Sequence, residues 1–241
     1  MELKMRVLQQ QEGESYKDYA YRVLKKNIME SYMAPGDIID ENELAELLHV
    51  SRMPIHEAVG KLSAENLVEV FPRKQTKVSK IDISAVNEGL FIRSVLEPAI
   101  LKMLSQNIAP QSMQYFRANL NKQKSIIERK NDKVDFFWID DEFHELLYKA
   151  ANKTKTWNMM KQATVHLDRL RYLIGGMEEH DLLTPSYEDH EIMYKMLLFG
   201  IEPKQGIDKF YKRHIGQFQE YWTEIWKQYA EYFVFREIEE E

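Results

Sequence analysis

Through most of the chain, apolar residues recur at intervals of three and four, the period of helices that bury one face. The first such run predicts a helix over residues 16–33, with Tyr19, Val23, Ile28 and Tyr32 turned to a core and Ala34-Pro35-Gly36 ending it. Two short helices follow. One starts at Asp40 or Glu41 and carries Leu44, Leu47 and Leu48; the next has Ser51 as N-cap and carries Ile55, Val59 and Leu62. Only the tight turn His49-Val50-Ser51 separates them. After Asn66 the period falls to two over residues 67–71 and 77–80, which predicts a small β-hairpin. From Ile83 the helical period resumes, with helices expected near 84–106, 111–129, 133–151, 156–175, 186–199 and 204–236 and no further strand. Breaks are expected at 107–110, 130–132, 152–154, Gly175-Gly176 with Pro185, and 200–203.

This order of elements predicts a mainly α fold in two domains: residues 1–80 as a winged helix-turn-helix with a short N-terminal extension, and 81–241 as an antiparallel α-helical bundle. Composition narrows what such a protein does. Of 241 residues, 44% are apolar and 30% charged, which excludes a disordered chain. Having no cysteine, it has no disulfide, thiolate metal site or cysteine nucleophile, so any metal must be held by His and carboxylate. No stretch approaches the roughly 18 apolar residues of a membrane span and no leader is apparent, so the expected location is the cytoplasm. A net charge of −6 argues against coating nucleic acid non-specifically, so DNA binding needs a local basic patch. Residues 52–80 supply one: Arg52, Lys61, Arg73, Lys74, Lys77 and Lys80 against Glu57, Glu65 and Glu69.

The run APGDIIDENELAELLHVSRMPIHEAV, residues 34–59, closely resembles the PG-xx-L-x-E-x-x-LA … VSR-x-P-V-R-E-A-L signature of GntR-family transcription regulators. The resemblance implies that the second short helix lies in the major groove of a double-stranded DNA operator. Arg52 would then read guanine, with Ser51 and Met53 close to backbone or bases and Arg73 and Lys74 in the wing. A bidentate Arg–guanine contact is worth about 1–3 kcal/mol of discrimination. Three departures stand out: the family's second arginine is His56, the glycine after the recognition helix is Asn66, and the wing glycine is Gln75. His56 points to an altered operator, while Asn66 still tolerates the left-handed conformation.

Of the seven histidines, His49, His56, His166 and His180 have local explanations, in the turn, the recognition helix, a mixed helix and a polar loop. The other three sit on apolar stripes. Asp140 and His144 are four apart on the face that carries Phe136, Phe137 and Leu147; His190 lies with Tyr187, Tyr194 and Leu197, and His214 with Ile207, Phe210 and Tyr211. A single histidine in such a place is usually a hydrogen-bonded core residue. One carboxylate and three imidazoles together would suit a divalent ion, zinc first, with nickel or manganese as alternatives. The segments 91–98, 140–152, 188–190 and 214–215 are similar to the FadR-type C-terminal ligand-binding (FCD) domain. In that family's metal-binding branch an Asp-x-x-x-His pair and two later histidines hold such an ion, and Asp140, His144, His190 and His214 match those positions.

The resemblance implies a homodimer in the FadR subfamily whose operator binding responds to a small carboxylate effector beside the metal. Arg93, which matches a family position, and Arg169 or Arg171 are the candidate partners for a second carboxylate of that effector. Activation and repression both stay open. The alternatives are a metal-responsive regulator, in which the ion is the signal, and a metal-dependent hydrolase using Glu145 or Asp141. The latter leaves the winged helix unexplained, so the expected protein is not an enzyme.

Overall fold

The computed structural model describes residues 5–129, 133–177, 181–201 and 206–235. His180, the expected break at 130–132 and residues 202 and 203 of the expected break at 200–203 lie outside these residues, as does the acidic end at 236–241. The head begins with α1, Tyr16–Met29, whose N-cap Ser15 accepts from the Asp18 amide. Tyr19, Val23 and Ile28 are buried as expected. The helix stops four residues earlier than its apolar pattern, because Ser31 turns into the left-handed region at φ 59°. Tyr32 is therefore 39% exposed rather than in the core, and the Arg6 guanidinium lies over its ring.

Helices α2, Glu41–Leu47, and α3, Arg52–Ala64, flank a turn in which His49 takes φ 53°. Asp40 caps α2 through the amides of Asn42 and Glu43. Ser51 occupies the N-cap position of α3 but makes no side-chain cap bond. Leu44, Leu48, Ile55, Val59 and Leu62 are buried, while Leu47 is on the surface. A three-stranded antiparallel sheet completes the head: β1, Ile38–Ile39, pairs with β3, Gln75–Val78, which pairs with β2, Val68–Phe71. Asn66, in place of the family glycine, takes φ 59°, and Arg73 takes φ 61° at the wing tip. Gln75 therefore lies in β3 opposite Phe71 and has no glycine-like role.

The bundle consists of α4 (Ile83–Gln106), α5 (Pro110–Arg129), α6 (Lys133–Ala150), α7 (Thr154–Ala163), α8 (Val165–Gly175), α9 (Leu183–Phe199), α10 (Ile207–Ile215) and α11 (Trp222–Tyr229). The helix expected over 156–175 is two helices with a break at Thr164, whose backbone leaves the helical region. Pro185 does not break α9; it sits in its first turn, where a proline costs no internal hydrogen bond. The helix expected over 204–236 is interrupted at Gly216, where a Cβ would meet the Lys212 carbonyl at 2.9 Å. A 3₁₀ turn, α11 and a second 3₁₀ turn follow, and then comes an unexpected strand, β5, Phe233–Val234. That strand pairs in parallel with β4, Ile81–Asp82, the segment joining head to bundle. Gly175 permits close approach of α8 to α6, since a Cβ there would lie 2.0 Å from the Phe137 ring.

Candidate metal centre and DNA-reading face

Six helices of the bundle bring polar side chains into its interior. Arg93 and Glu97 lie one turn apart on α4, as do Asn119 and Gln123 on α5 and Asp140 and His144 on α6; α8 adds Arg171, α9 adds Asp189 and His190, and α10 adds His214. All these groups except Arg171 are buried. The Nε2 atoms of His144 and His190 are 3.3 Å apart, as are those of His144 and His214, and ligand atoms of all three rings lie within 4.8 Å of one another. Two imidazole nitrogens each about 2.0–2.1 Å from a tetrahedral ion would be about 3.4 Å apart.

Each ring turns its other nitrogen to a separate oxygen. His190 Nδ1 is 2.9 Å from Gln123 Oε1, His214 Nδ1 is 3.2 Å from Asp189 Oδ2, and His144 Nδ1 is 3.1 Å from Glu97 Oε2, although not well aligned for a hydrogen bond. The Gln123 amide is itself oriented, since its Nε2 donates to Asn119 Oδ1 at 2.7 Å. The acceptors at the Nδ1 of His190 and His214 put those ring protons there, and the nearby Glu97 carboxylate favours the same tautomer for His144, so three Nε2 lone pairs face a common point. Facing lone pairs repel unless a cation sits between them. Asp140 lies at the edge of this trio rather than within it. Its Oδ2 accepts from Arg171, whereas its Oδ1 is buried without a hydrogen-bond donor, 3.6 Å from His190 Nε2.

The charge balance fits the same picture. Burial pushes the Asp140 carboxyl up, but Arg171 and the three imidazoles outweigh it and hold the group well below the usual carboxylate range. Burial is likewise outweighed at Glu97, by Arg93 and His144. Burial lowers His190 far below the ordinary imidazole value, and lowers His214 against the opposing pull of Asp189. Neutral histidines and ionised carboxylates are the forms that ligate a metal. The residues present therefore fit a divalent ion.

Arg93 and Arg171 line a small cavity beside Asp140 and His214, with about 20 Å³ of room, enough for one water-sized occupant. Arg93 is already paired, its Nε donating to Glu97 Oε1 at 2.6 Å. Arg171 also approaches Asp141 Oδ1 at 3.3 Å and Asp168 Oδ1 at 3.5 Å. Arg169 does not line this cavity. It points to the other side of α8 and donates to Ser79 Oγ and O, both at 2.8 Å, tying the bundle to the base of the wing. Glu145 pairs with Lys149 and Asp141 with Lys161, so the bases considered for a hydrolase are engaged elsewhere. Sequence reasoning missed Glu97, Gln123 and Asp189 as ring-orienting acceptors. Asp189 could have been noticed beside His190, but nothing in its local pattern marks Gln123.

On the head, Ser51, Arg52, Met53 and His56 share the exposed face of α3, and Arg73 and Lys74 are exposed on the wing. Arg52 and His56 are held by the same carboxylate. Arg52 Nε donates to Glu41 Oε2 at 3.1 Å, and His56 Nδ1 is 3.0 Å from Glu41 Oε1. The structure thus joins Arg52 and His56 through one carboxylate, leaves Arg73 and Lys74 exposed on the wing, and gathers the three candidate histidines into one buried cluster.

Comparison with known proteins gives this arrangement a family. Residues 17–78 match the model of bacterial regulatory proteins of the gntR family, and residues 88–200 match the FCD domain. The HTH-type transcriptional repressor RspR of Escherichia coli (strain K12) is 34% identical over 153 residues, covering 64% of this chain and 67% of that protein. An HTH-type regulator encoded in an unstable DNA locus of Streptomyces ambofaciens is 33% identical over 172 residues, 71% of this chain and 70% of its own. The solved structure of E. coli McbR/YncC has the same fold, with a TM-score of 0.70 at 21% identity, covering 90% of this chain and 99% of that one. No described helix is long and apolar enough to cross a membrane. The chain belongs to the GntR family, in its FadR-like branch with an FCD domain: it is a transcription regulator with a DNA-binding winged helix-turn-helix and a helical effector domain.

Proposed function

We propose that the protein is a homodimeric, cytoplasmic regulator whose grip on its operator is set by a small carboxylate metabolite bound at a divalent ion, zinc first, held by Asp140, His144, His190 and His214. The observation that carries this reading is the convergence of three Nε2 lone pairs on one buried point, with the unpartnered Asp140 Oδ1 3.6 Å from the Nε2 of His190. When bound, the ion supplies positive charge and open coordination positions that attract an anionic oxygen. Arg93 and Arg171 face the same cavity and orient the rest of the anion. Arg171 must leave Asp140 in part to do so.

The functional division falls at residues 80–81, and two connections across it carry the signal. Helix α8 bears Arg171 at the metal cavity and, two residues away, Arg169 on Ser79 at the wing base. The other connection starts at His214 and runs through Gln217 and Phe218, which line the cavity, to β5 on the linker strand β4. A shift at the ion is thereby felt at the joint between head and bundle, which sets the separation of the two recognition helices in a dimer.

A second reading, that the ion itself is the signal, is favoured by the cavity having room for only one water-sized group. Elemental analysis of gently purified protein, followed by thermal-shift screening with di- and tricarboxylates, hydroxy acids and sugar acids, tests both. A stoichiometric metal with a ligand-specific rise in Tm is the expected result. Metal-dependent DNA binding with no carboxylate response would favour the metal sensor, and absence of metal after reconstitution would remove the ion from the site.

A further inference from the structure

Glu41 is the first residue of α2, and its side chain is only 13% exposed, whereas those of Arg52 and His56 are 66% and 68% exposed. One carboxylate therefore reaches from beneath to two residues one turn apart on the DNA-reading face. Burial pushes the Glu41 carboxyl up, but His56 and Arg52 outweigh it, so it stays ionised. An ionised carboxylate has no proton to donate. The imidazole nitrogen facing it, Nδ1, must then carry the ring hydrogen.

The consequence lies on the outer side of the ring. With its proton on Nδ1, the singly protonated imidazole presents an unprotonated Nε2 to the groove, an acceptor rather than a donor. Arginine in the same place would present only donors. In the major groove an acceptor is met by the amino groups of adenine (N6) or cytosine (N4), while guanine and thymine offer only acceptors there and adenine adds its N7. Arg52 is affected differently. Only its Nε is used by Glu41, which leaves both terminal amino groups free to face the O6 and N7 of a guanine.

We propose that Glu41 is a specificity-determining positioning residue: it fixes the tautomer of His56, so that this recognition helix selects adenine or cytosine where an arginine would select guanine. The inference rests on α3 being the helix that reads DNA bases. A family-signature acid and a departure from the family at residue 56 together define a binding preference that neither specifies alone.

The test is selection of bound duplexes from a random-sequence DNA library by the full-length protein at fixed salt, run for the wild type and the His56→Ala, His56→Arg and Glu41→Gln variants. His56→Ala should flatten the preference at one position of each half-site, which locates the base pair read by His56. His56→Arg should place guanine there and so mark the strand. The wild type is expected to prefer adenine or cytosine on that same strand by about fivefold, the low end for a base contact. In Glu41→Gln the new side chain can still accept from Arg52 through its carbonyl, and its amide then donates to His56 Nδ1. That moves the ring hydrogen outward to Nε2, so Glu41→Gln should invert the preference towards guanine or thymine while the guanine at Arg52 persists. An unchanged preference in Glu41→Gln, or the same base class in the wild type and His56→Arg, overturns the proposal. If no protein enriches any sequence, the assignment of α3 as the base-reading helix fails with it. A merely structural role for Glu41 would weaken all sites together and invert none.

Discussion

The proposed DNA-reading face and the candidate metal centre are both built from charged groups paired across helices, yet they differ in their dielectric surroundings. Arg52 and His56 meet Glu41 at the surface, where water screens the pair and its energy is small. Asp140, Arg171 and the three histidines meet inside the bundle, where burial leaves an unpaired charge poorly solvated. A surface pair exchanges its partner for DNA at little cost. A buried cluster can exchange partners only among charged or ligating groups, which makes it selective for an ion or an anion. The two regions thus suit the tasks proposed for them: reversible reading of a long polymer at the surface, and discrimination among small ligands inside.

Four substitutions sharpen that contrast. Arg171→Ala should have the largest effect, because it leaves Asp140, Asp141 and Asp168 short of their shared cation. A loss of about 3–5 kcal/mol is expected for a broken buried pair, read by urea unfolding of chelator-treated protein; a loss below about 1 kcal/mol, the range of exposed pairs, would mean that the interior is wetter than the burial indicates. Gln123→Ala removes the acceptor at His190 Nδ1 while leaving every proposed ligand in place. Zinc affinity measured by calorimetry should fall about 10–100-fold, and an unchanged affinity would separate His190 from the ion. Arg52→Ala should cost about 1–3 kcal/mol of binding to a duplex recovered from the library, with metal content unchanged. Equal affinity for the two proteins at fixed salt would remove Arg52 from base reading. Asp40→Ala, which deletes the cap of α2, should lower stability by about 1 kcal/mol and leave zinc affinity as it is. A change in zinc affinity would show that the head and the centre are energetically coupled even in the absence of DNA.

Much of the head was legible from the chain. The recognition residues follow one another in a gap-free signature, and helix-turn-helix geometry depends on contacts close in sequence. The left-handed Asn66 was legible too, since few residues replace glycine there. The metal residues could be nominated from their apolar stripes, but not brought together. Asp140 and His144 are local to one helix, whereas His190 and His214 come from other helices, and their meeting depends on how those helices pack. Arg169 shows the limit. Its neighbour-but-one Arg171 faces the cavity, yet two residues on a helix differ by about 200° in direction, and Arg169 reaches the wing base instead. The strands β4 and β5 are two residues each and have no period to detect.

By itself the sequence determined the helical architecture, the winged helix-turn-helix, the candidate reading residues exposed on α3 and the histidines that turn inward. These follow from periodicity, capping and motif, which operate over a few residues. Tertiary structure alone decided which oxygen orients each imidazole, which arginine guards Asp140, where the tail meets the linker, and that Glu41 lies beneath both Arg52 and His56. The physical reason is one of range: a side chain's partner and its proton are set by atoms within about 3 Å, and those atoms come from helices distant in the chain or from across a turn.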